Sequence, residues 1–214
     1  MLAGLGLVCE SLDRVLEASL HHDRRLAEMV VADDDRIDAI YTDTHSELLT
    51  LLACRGPVAG ELRLVAALLE ILHHVERMGD QCVNIAKILP LNGYAPTGEE
   101  RALRRLAEMG AQVRSEVAQA QLAFETRDPG LAEDLVRQDQ AVNRLNREIF
   151  QLALEAGGQA DRREWAMHLM LAARALERIG DNAVDIGEQV AFVVSGVYRE
   201  FRDASAAQPK RPLT

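Results

Sequence analysis

Two copies of one acidic motif are the residues of this chain best suited to chemistry. Glu-Arg-Met-Gly-Asp at 76–80, followed by Asn84, recurs as Glu-Arg-Ile-Gly-Asp at 177–181, followed by Asp185. Carboxylates four residues apart lie on one face of a helix, and like charges at that spacing cost a few tenths of a kcal/mol. Because a bound cation would reverse this repulsion, we predict a metal site at each motif, at the rim of a helical bundle.

The glycine inside each motif indicates which residues complete the site. Glycine in a helix interior costs about 1 kcal/mol relative to alanine, so we expect another helix to approach closely at Gly79 and Gly180. The preceding helix of each half is the natural neighbour, and it also carries oxygen ligands. The predicted metal ligands are Glu76, Asp80, Asn84, Asp34 and Asp38 in the first half, and Glu177, Asp181, Asp185, Asp139 and Asn143 in the second. Such oxygen ligands suit Mg²⁺, Mn²⁺ or Fe, and bind Zn²⁺ less selectively.

Less specific interpretations of these residues stay open. An acidic helix face is most often a solvated surface, and Arg77 or Arg178 can pair with nearby acids. The acidic run at 33–35 is more typical of a helix start, where negative charge complements the helix dipole. Neighbouring histidines such as His73 and His74 point about 100° apart on a helix and cannot chelate one ion together. The three cysteines are widely separated, and we expect them to be small core residues.

The elements that must position the motifs are long helices. Apolar residues recur at helical spacing, and Gly and Pro divide the chain into six segments. The predicted helices span about 5–31, 33–55, 57–89, 98–127, 131–155 and 161–200. Pro57 suits a first helical turn, and Thr97 with Glu100 resembles a capping box. We therefore predict an all-α fold of two tandem antiparallel three-helix bundles, at 1–92 and 98–200, a linker at 92–98 and a disordered tail at 203–214.

The repeat relates the two halves. The motifs are separated by 101 residues, since 177 − 76 = 101, and six of the twelve positions at 75–86 are identical to their counterparts. A weaker echo upstream matches residues 34–38 with residues 139–143 at an offset of 105. A duplicated three-helix unit related by pseudo-twofold symmetry explains both.

Composition limits the possible partners. The 214 residues carry a formal net charge of −10, which disfavours non-specific binding to nucleic acid or to an anionic membrane. The opening residues lack a basic n-region, and no apolar run approaches the length of a membrane span. We expect a cytoplasmic protein that binds cations and basic protein surfaces, without direct membrane insertion.

The chain resembles the PhoU family of phosphate-transport regulators over about residues 12–196. The most specific pieces are the two acidic motifs with the residues that follow them, and Arg-Gly-Pro-Val-Ala at 55–59 with Glu-Leu-Arg at 61–63. The resemblance implies two three-helix bundles related by pseudo-twofold symmetry, with Glu76 and Asp80 in one metal site and Glu177 and Asp181 in the other. Two positions depart from the family pattern, since Asp185 stands where asparagine is frequent and Gly56 where glutamine is common.

The function that the resemblance implies is regulatory. Such proteins are similar to adaptors that damp high-affinity phosphate uptake and phosphate-starvation signalling. The implied partners are the ATPase subunit of the phosphate ABC transporter, a phosphate-sensing histidine kinase and a second copy of the chain in a homodimer. A binding module without catalysis is the preferred hypothesis, since the sequence shows no nucleophile with its base and no Gly-rich phosphate loop. The alternatives are a metal-dependent phosphohydrolase, with two metals activating water, and a purely structural helical scaffold.

Overall fold

The helical periodicity of the sequence is realised throughout the part of the chain that the structure covers. A computed structural model describes residues 1–21, 23–88 and 99–201, and within these ranges the chain forms six long α-helices, a short 3₁₀ turn and no strand. The helices are α1 Leu2–His21, α2 Arg24–Arg55, α3 Gly60–Ile88, α4 Glu100–Thr126, α5 Pro129–Gly157 and α6 Arg163–Ser195, and the 3₁₀ turn is Ala160–Arg162. None of the described helices combines the length and apolarity that crossing a membrane requires.

The helices pack as two three-helix bundles, so the predicted fold class is confirmed. Helices α1, α2 and α3 pack against one another, as do α4, α5 and α6. The bundles meet along their sides, where α3 packs on α6 and α1 packs on α4. Each motif helix buries its apolar stripe in the core, for example Val75 and Cys82 of α3 and Ile179 and Ile186 of α6. This burial holds the acidic residues of the same helices at the edge of the bundle.

The predicted boundary between the first two helices is wrong. The first helix ends at His21 instead of residue 31, and α2 begins at Arg24. Asp23 caps α2, since its side chain accepts hydrogen bonds from the backbone N–H groups of Arg25 and Leu26. The acidic run at 33–35 therefore lies well inside α2 and does not start a helix. Because the side chain of Asp23 satisfies two N–H groups that a helix start leaves unpaired, the chain can turn there.

The second half carries the signal that identifies this boundary. Asp128 caps α5 in the same way, with its side chain accepting from the N–H groups of Gly130 and Leu131. Both caps open the pattern Asp-x-x-Leu-Ala-Glu, at 23–28 and 128–133, and 128 − 23 = 105. The offset of 105 found for the acidic echo therefore extends back to the helix starts.

Other helix ends also differ from the prediction by two to five residues, and two of these differences bear on the sequence signals used above. Helix α3 begins at Gly60, so Pro57 precedes the helix and does not occupy its first turn. Helix α6 ends at Ser195 instead of near residue 200, because Gly196 adopts a left-handed conformation with φ of 76° and its N–H caps the carbonyl of Phe192. Left-handed glycine is a common helix terminator.

Some predictions fall outside the described residues or fail locally. The linker, the residue Thr97 of the proposed capping box and the predicted disordered tail fall wholly or mainly within 89–98 and 202–214, outside the described ranges. The domain limits 1–92 and 98–200 remain predictions. Cys9 and Cys82 are buried as predicted, but Cys54 is exposed on α2. Its position is on the solvent side of a helix that buries only a narrow stripe.

The first and fourth helices also repeat each other at the offset of 105. Leu5, Val8 and Leu12 are buried in α1, and Gly110, Val113 and Val117 are buried at the matching places in α4. At one matching pair of buried positions the chemistry changes, because Ser11 in the first half becomes Glu116 in the second. This substitution lies next to the second acidic motif.

Candidate functional site

The first acidic motif faces α2 across Gly79. A Cβ atom added at Gly79 would lie 3.1 Å from Oδ1 of Asp34 and 3.0 Å from Cδ1 of Ile37. Contacts this short are tighter than ordinary van der Waals contact, so α2 approaches α3 as closely as it does because residue 79 has no side chain. The predicted close approach at this glycine is present, and it brings a carboxylate of α2 to the motif.

The carboxylates of this first cluster influence one another. Desolvation, followed by the negative charges of Asp38 and Asp80, raises the pKa of Asp34 to about 6. Desolvation and then the charge of Asp80 raise the pKa of Glu76, with a smaller contribution from Asp38. Four of the five predicted ligands in this half thus form one electrostatic cluster. The fifth, Asn84, is exposed one helical turn beyond Asp80.

The second motif faces α5 in the same way. A Cβ atom added at Gly180 would lie 3.1 Å from Oδ1 of Asp139 and 3.1 Å from Oε2 of Glu116. Asp139 matches Asp34 at the offset of 105, so the same contact is made twice. Asn143 donates from Nδ2 to Oδ2 of Asp139 at 2.6 Å, which fixes the orientation of that carboxylate.

The second cluster opens into a pocket. Four of the predicted ligands line a cavity of about 340 Å³ between α5 and α6, namely Asp139, Asn143, Asp181 and Asp185. Glu188 and Phe201 line it as well. The predicted ligand Glu177 is not among its lining residues and forms an ion pair with Arg174. The structure therefore brings four of the five residues of this half together.

Negative charge in the pocket is only partly compensated. Desolvation raises the pKa of Asp181, although Arg174 opposes this effect, and Asp185 adds to it. Desolvation also raises the pKa of Asp185, against the lowering effects of His74 and Arg77 from the first half. Raised pKa values mean that the protein environment disfavours the carboxylate anions, and a cation would restore them.

The donor set fits a hard cation, but the side chains are not preassembled around one. Carboxylate and amide oxygens are the ligands that Mg²⁺, Mn²⁺ and Fe accept in proteins. Among residues 1–21, 23–88 and 99–201, no three His, Cys, Asp or Glu side chains are grouped closely enough to hold a metal ion as they stand. Binding would require side-chain rotations that bring the carboxylates together, and the exposed Asp80 and Asp181 have room to make them.

The structure adds three residues to those predicted from the sequence. Glu188 is buried three residues after Asp185 and accepts hydrogen bonds from the Tyr198 hydroxyl at 3.1 Å and from the Phe201 backbone N–H. Its spacing from Asp185 was a usable signal, because residues three apart share a helix face. The chain reversal after α6 that brings Tyr198 and Phe201 to it has no such signal.

His74 connects the two halves. Its Nδ1 lies 2.8 Å from Oδ1 of Asn182 and 3.5 Å from Oδ2 of Asp185. Helical periodicity gives no means of pairing His74 with Asn182, which is 108 positions away in the sequence. The other added residue, Glu116, is fully buried on α4.

The two halves of the chain each match one domain of a known protein family. The PhoU domain matches this chain twice, at residues 5–89 and 106–190. The chain belongs to the PhoU family. Among PhoU relatives, it is 33% identical over 204 residues to the "phosphate-specific transport system accessory protein PhoU homolog" of Zymomonas mobilis, covering 91% of this chain and 85% of that protein. It is 32% identical to PhoU homolog 1 of Mycobacterium tuberculosis, covering 92% of this chain and 90% of that protein.

Solved PhoU structures have the same fold. The crystal structure of PhoU from Pseudomonas aeruginosa matches with a TM-score of 0.83 and 30% identity, covering 92% of this chain and 94% of that one. The phosphate transport system regulatory protein PhoU from Streptococcus pneumoniae matches with a TM-score of 0.82, 23% identity, and coverage of 92% and 93%. The resemblance drawn from the sequence is therefore confirmed at the level of family and fold.

Proposed function

We propose that this protein is a regulatory accessory protein of phosphate transport that binds partner proteins and carries a metal site in each bundle. The observation that carries the proposal is the match of two PhoU domain copies to residues 5–89 and 106–190. Relatives that cover about nine-tenths of the chain are named as accessory proteins of the phosphate-specific transport system. The role that we propose for this chain is to damp high-affinity phosphate uptake and phosphate-starvation signalling, by binding in the cytoplasm and without catalysis.

The paired acidic clusters support the metal component of the proposal. Both halves place an Asp of the middle helix against the glycine of the motif, at 3.1 Å from the added Cβ position in each case. Each glycine lowers the stability of its helix, and each lies among carboxyl groups whose pKa values are raised. A solvated acidic surface does not account for this combination at two sites. The cation is Mg²⁺, Mn²⁺ or Fe in preference to Zn²⁺, by the oxygen-only ligand set.

An apolar patch on the second bundle is the proposed docking surface for the ATPase subunit of the phosphate transporter. Phe150, Leu154, Met167 and Leu171 are each about half exposed on α5 and α6. Phe150, Met167 and Leu171 line a groove of about 510 Å³ together with Arg147 and Arg174. Leu154 lies one helical turn beyond Phe150 on α5. Clustered exposed apolar side chains mark protein interaction sites, unlike scattered single ones. At three of the four matching places the first half has His45, Ala66 and Glu70, and Leu49 matches Leu154, so the clustered patch is particular to the second bundle.

The test is binding of purified protein to the transporter ATPase in high and in low phosphate. We expect Leu154→Glu to weaken binding at least about tenfold, because a charge replaces apolar contact area. Leu49→Glu is the matched control, since Leu49 is similarly exposed, 48% against 54% for Leu154, at the corresponding place of the first half, and this variant should bind as the wild type does. Absence of binding in both phosphate conditions, to this ATPase and to the phosphate-sensing kinase, would refute the regulatory assignment.

Metal content is measured separately. Purified protein should carry or take up a divalent or trivalent cation, and the variant Asp80→Asn/Asp181→Asn should lose it, as measured by elemental analysis after dialysis. Equal and negligible metal in both proteins would favour the idle scaffold. Metal-stimulated hydrolysis of a phosphate ester that disappears in the same variant would favour the phosphohydrolase instead.

A further inference from the structure

The two acidic clusters differ in the side-chain atoms that pack against the motif glycine. At Gly79 the added Cβ position meets Cδ1 of Ile37, a methyl group, at 3.0 Å, whereas at Gly180 it meets Oε2 of Glu116 at 3.1 Å. The position of Ile37 corresponds to Val142 at the offset of 105, and the position of Ser11 corresponds to Glu116. The second half has thus lost a methyl group and gained a carboxyl group in the space behind the glycine.

Burying the carboxyl group of Glu116 in that space is energetically unfavourable. The residue is 0% exposed, and among the residues that the structure describes its Oε2 accepts no hydrogen bond. Its other oxygen, Oε1, accepts from Nε2 of Gln112 at 3.0 Å, which holds the side chain in place. A buried carboxyl group with an unsatisfied oxygen costs far more than the methyl group that serves the first half.

The unsatisfied oxygen is aimed at the second cluster. Oε2 of Glu116 and Oδ1 of Asp139 lie 3.1 Å from the same point beside Gly180, and Asp139 also lines the acidic pocket. Besides desolvation, the negative charges of Asp139 and Asp181 contribute to the raised pKa of Glu116, so the three carboxyl groups interact electrostatically. Asp139 therefore stands between the open pocket and a deeper carboxyl group.

We propose that Glu116 is an inner ligand of the second metal site, so that the second bundle binds a hard divalent cation more tightly than the first. This inference rests on the metal binding proposed above. Glu116 and Asp139 supply the side-chain oxygens that meet the added Cβ position at Gly180, and Asp181, Asp185 and Asn143 line the pocket beside them. The first bundle offers a methyl group where the inner ligand would be, and its site is shallower for that reason.

The test exchanges the residues between the halves. The variant Glu116→Ser/Val142→Ile gives the second half the residue pair of the first, so packing behind Gly180 is restored while the inner carboxyl group is removed. Mn²⁺ binding to metal-free protein is measured by electron paramagnetic resonance of the free ion, and the melting temperature is recorded with and without Mn²⁺. The variant Asp80→Asn, which affects the first cluster only, is the control.

The wild type should show two classes of Mn²⁺ site. The exchange variant should weaken the tighter class at least about tenfold, whereas Asp80→Asn should weaken only the other class. Without metal, the exchange variant should melt no lower than the wild type, and its Mn²⁺-induced rise in melting temperature should shrink. Glu116→Gln, which keeps the side-chain volume, gives the same comparison if the exchange variant does not fold.

Two results would overturn the inference. Unchanged tight-site affinity in both Glu116 variants would make Glu116 a packing residue, with the metal proposal itself intact. No Mn²⁺ binding by the wild type would reject the inner ligand and the metal component of the proposed function together. The ATPase-binding experiment is independent of both results, so the regulatory assignment is judged separately.

Discussion

Replacing Glu116 with glutamine should make the metal-free protein less sensitive to alkaline pH. Burial, with the charges of Asp139 and Asp181, raises the pKa of Glu116 from its ordinary 4.5 to about 8. The folded protein therefore retains a proton that the unfolded chain releases between these two values. Stability is then at its full value below about pH 4.5, falls as the pH rises, and levels off above about pH 8.

The size of this loss follows from the shift. Each pKa unit corresponds to about 1.4 kcal/mol, so the full shift amounts to about 5 kcal/mol, of which about 3 kcal/mol lies between about pH 5 and about pH 8. A neutral amide at position 116 resembles the protonated acid and accepts the same hydrogen bond from Gln112. Glu116→Gln should match the wild type near pH 5 and exceed its free energy of unfolding by about 3 kcal/mol near pH 8.

The measurement is urea denaturation across this pH range in the presence of a chelator. Other carboxyl groups with raised pKa values, including Asp34 and Glu188, titrate in both proteins, so only the difference between the two curves reports on Glu116. Ser11→Ala, at the corresponding buried position of the first half, should change the stability by the same amount at every pH. Parallel curves for the wild type and Glu116→Gln would show that residue 116 is ionised in the folded protein and would refute the reasoning.

Three further predictions concern the side-chain caps of α2 and α5, the hydrogen bond from Tyr198 to Glu188, and the motif glycine Gly180. Asp23→Ala and Asp128→Ala should each lower the free energy of unfolding by about 1 kcal/mol, because each removes a side-chain cap, and unequal losses by urea denaturation would show that the two turns are not equivalent. Tyr198→Phe should raise the pKa of Glu188 in a carboxyl-carbon NMR titration, since the hydroxyl donates to the carboxylate, and an unchanged pKa would mean that the bond is not formed in solution. Gly180→Ala should cost about 1 kcal/mol in calorimetry in spite of better helix propensity, because its Cβ would lie 3.1 Å from two carboxyl oxygens, and a gain would show that both can move aside.

The errors in the sequence analysis have local physical causes. The boundary at residues 31–33 was inferred from acidic charge, which favours a helix start only weakly, whereas the true start depends on two hydrogen bonds to the side chain of Asp23. The end of α6 depends on the left-handed conformation of Gly196, which a continuous apolar pattern does not reveal. Both boundaries depend on the conformation of one or two residues, and an apolar pattern that extends over several helical turns does not report it.

The sequence by itself determined the helical class, the duplication and which acidic residues form most of the two candidate sites, because helical period and internal repetition are properties of residue order. The offset of 101 between the two motifs also predicted that the halves would place their carboxylates alike. Only the tertiary structure decided that Asp139, Asn143, Asp181 and Asp185 share a pocket without Glu177, and that Glu116 lies beneath it. These are contacts between helices, and they depend on how closely two helix backbones approach each other. The sequence shows that a glycine such as Gly180 permits a close approach, but it does not show which side chains of the neighbouring helices then reach the glycine.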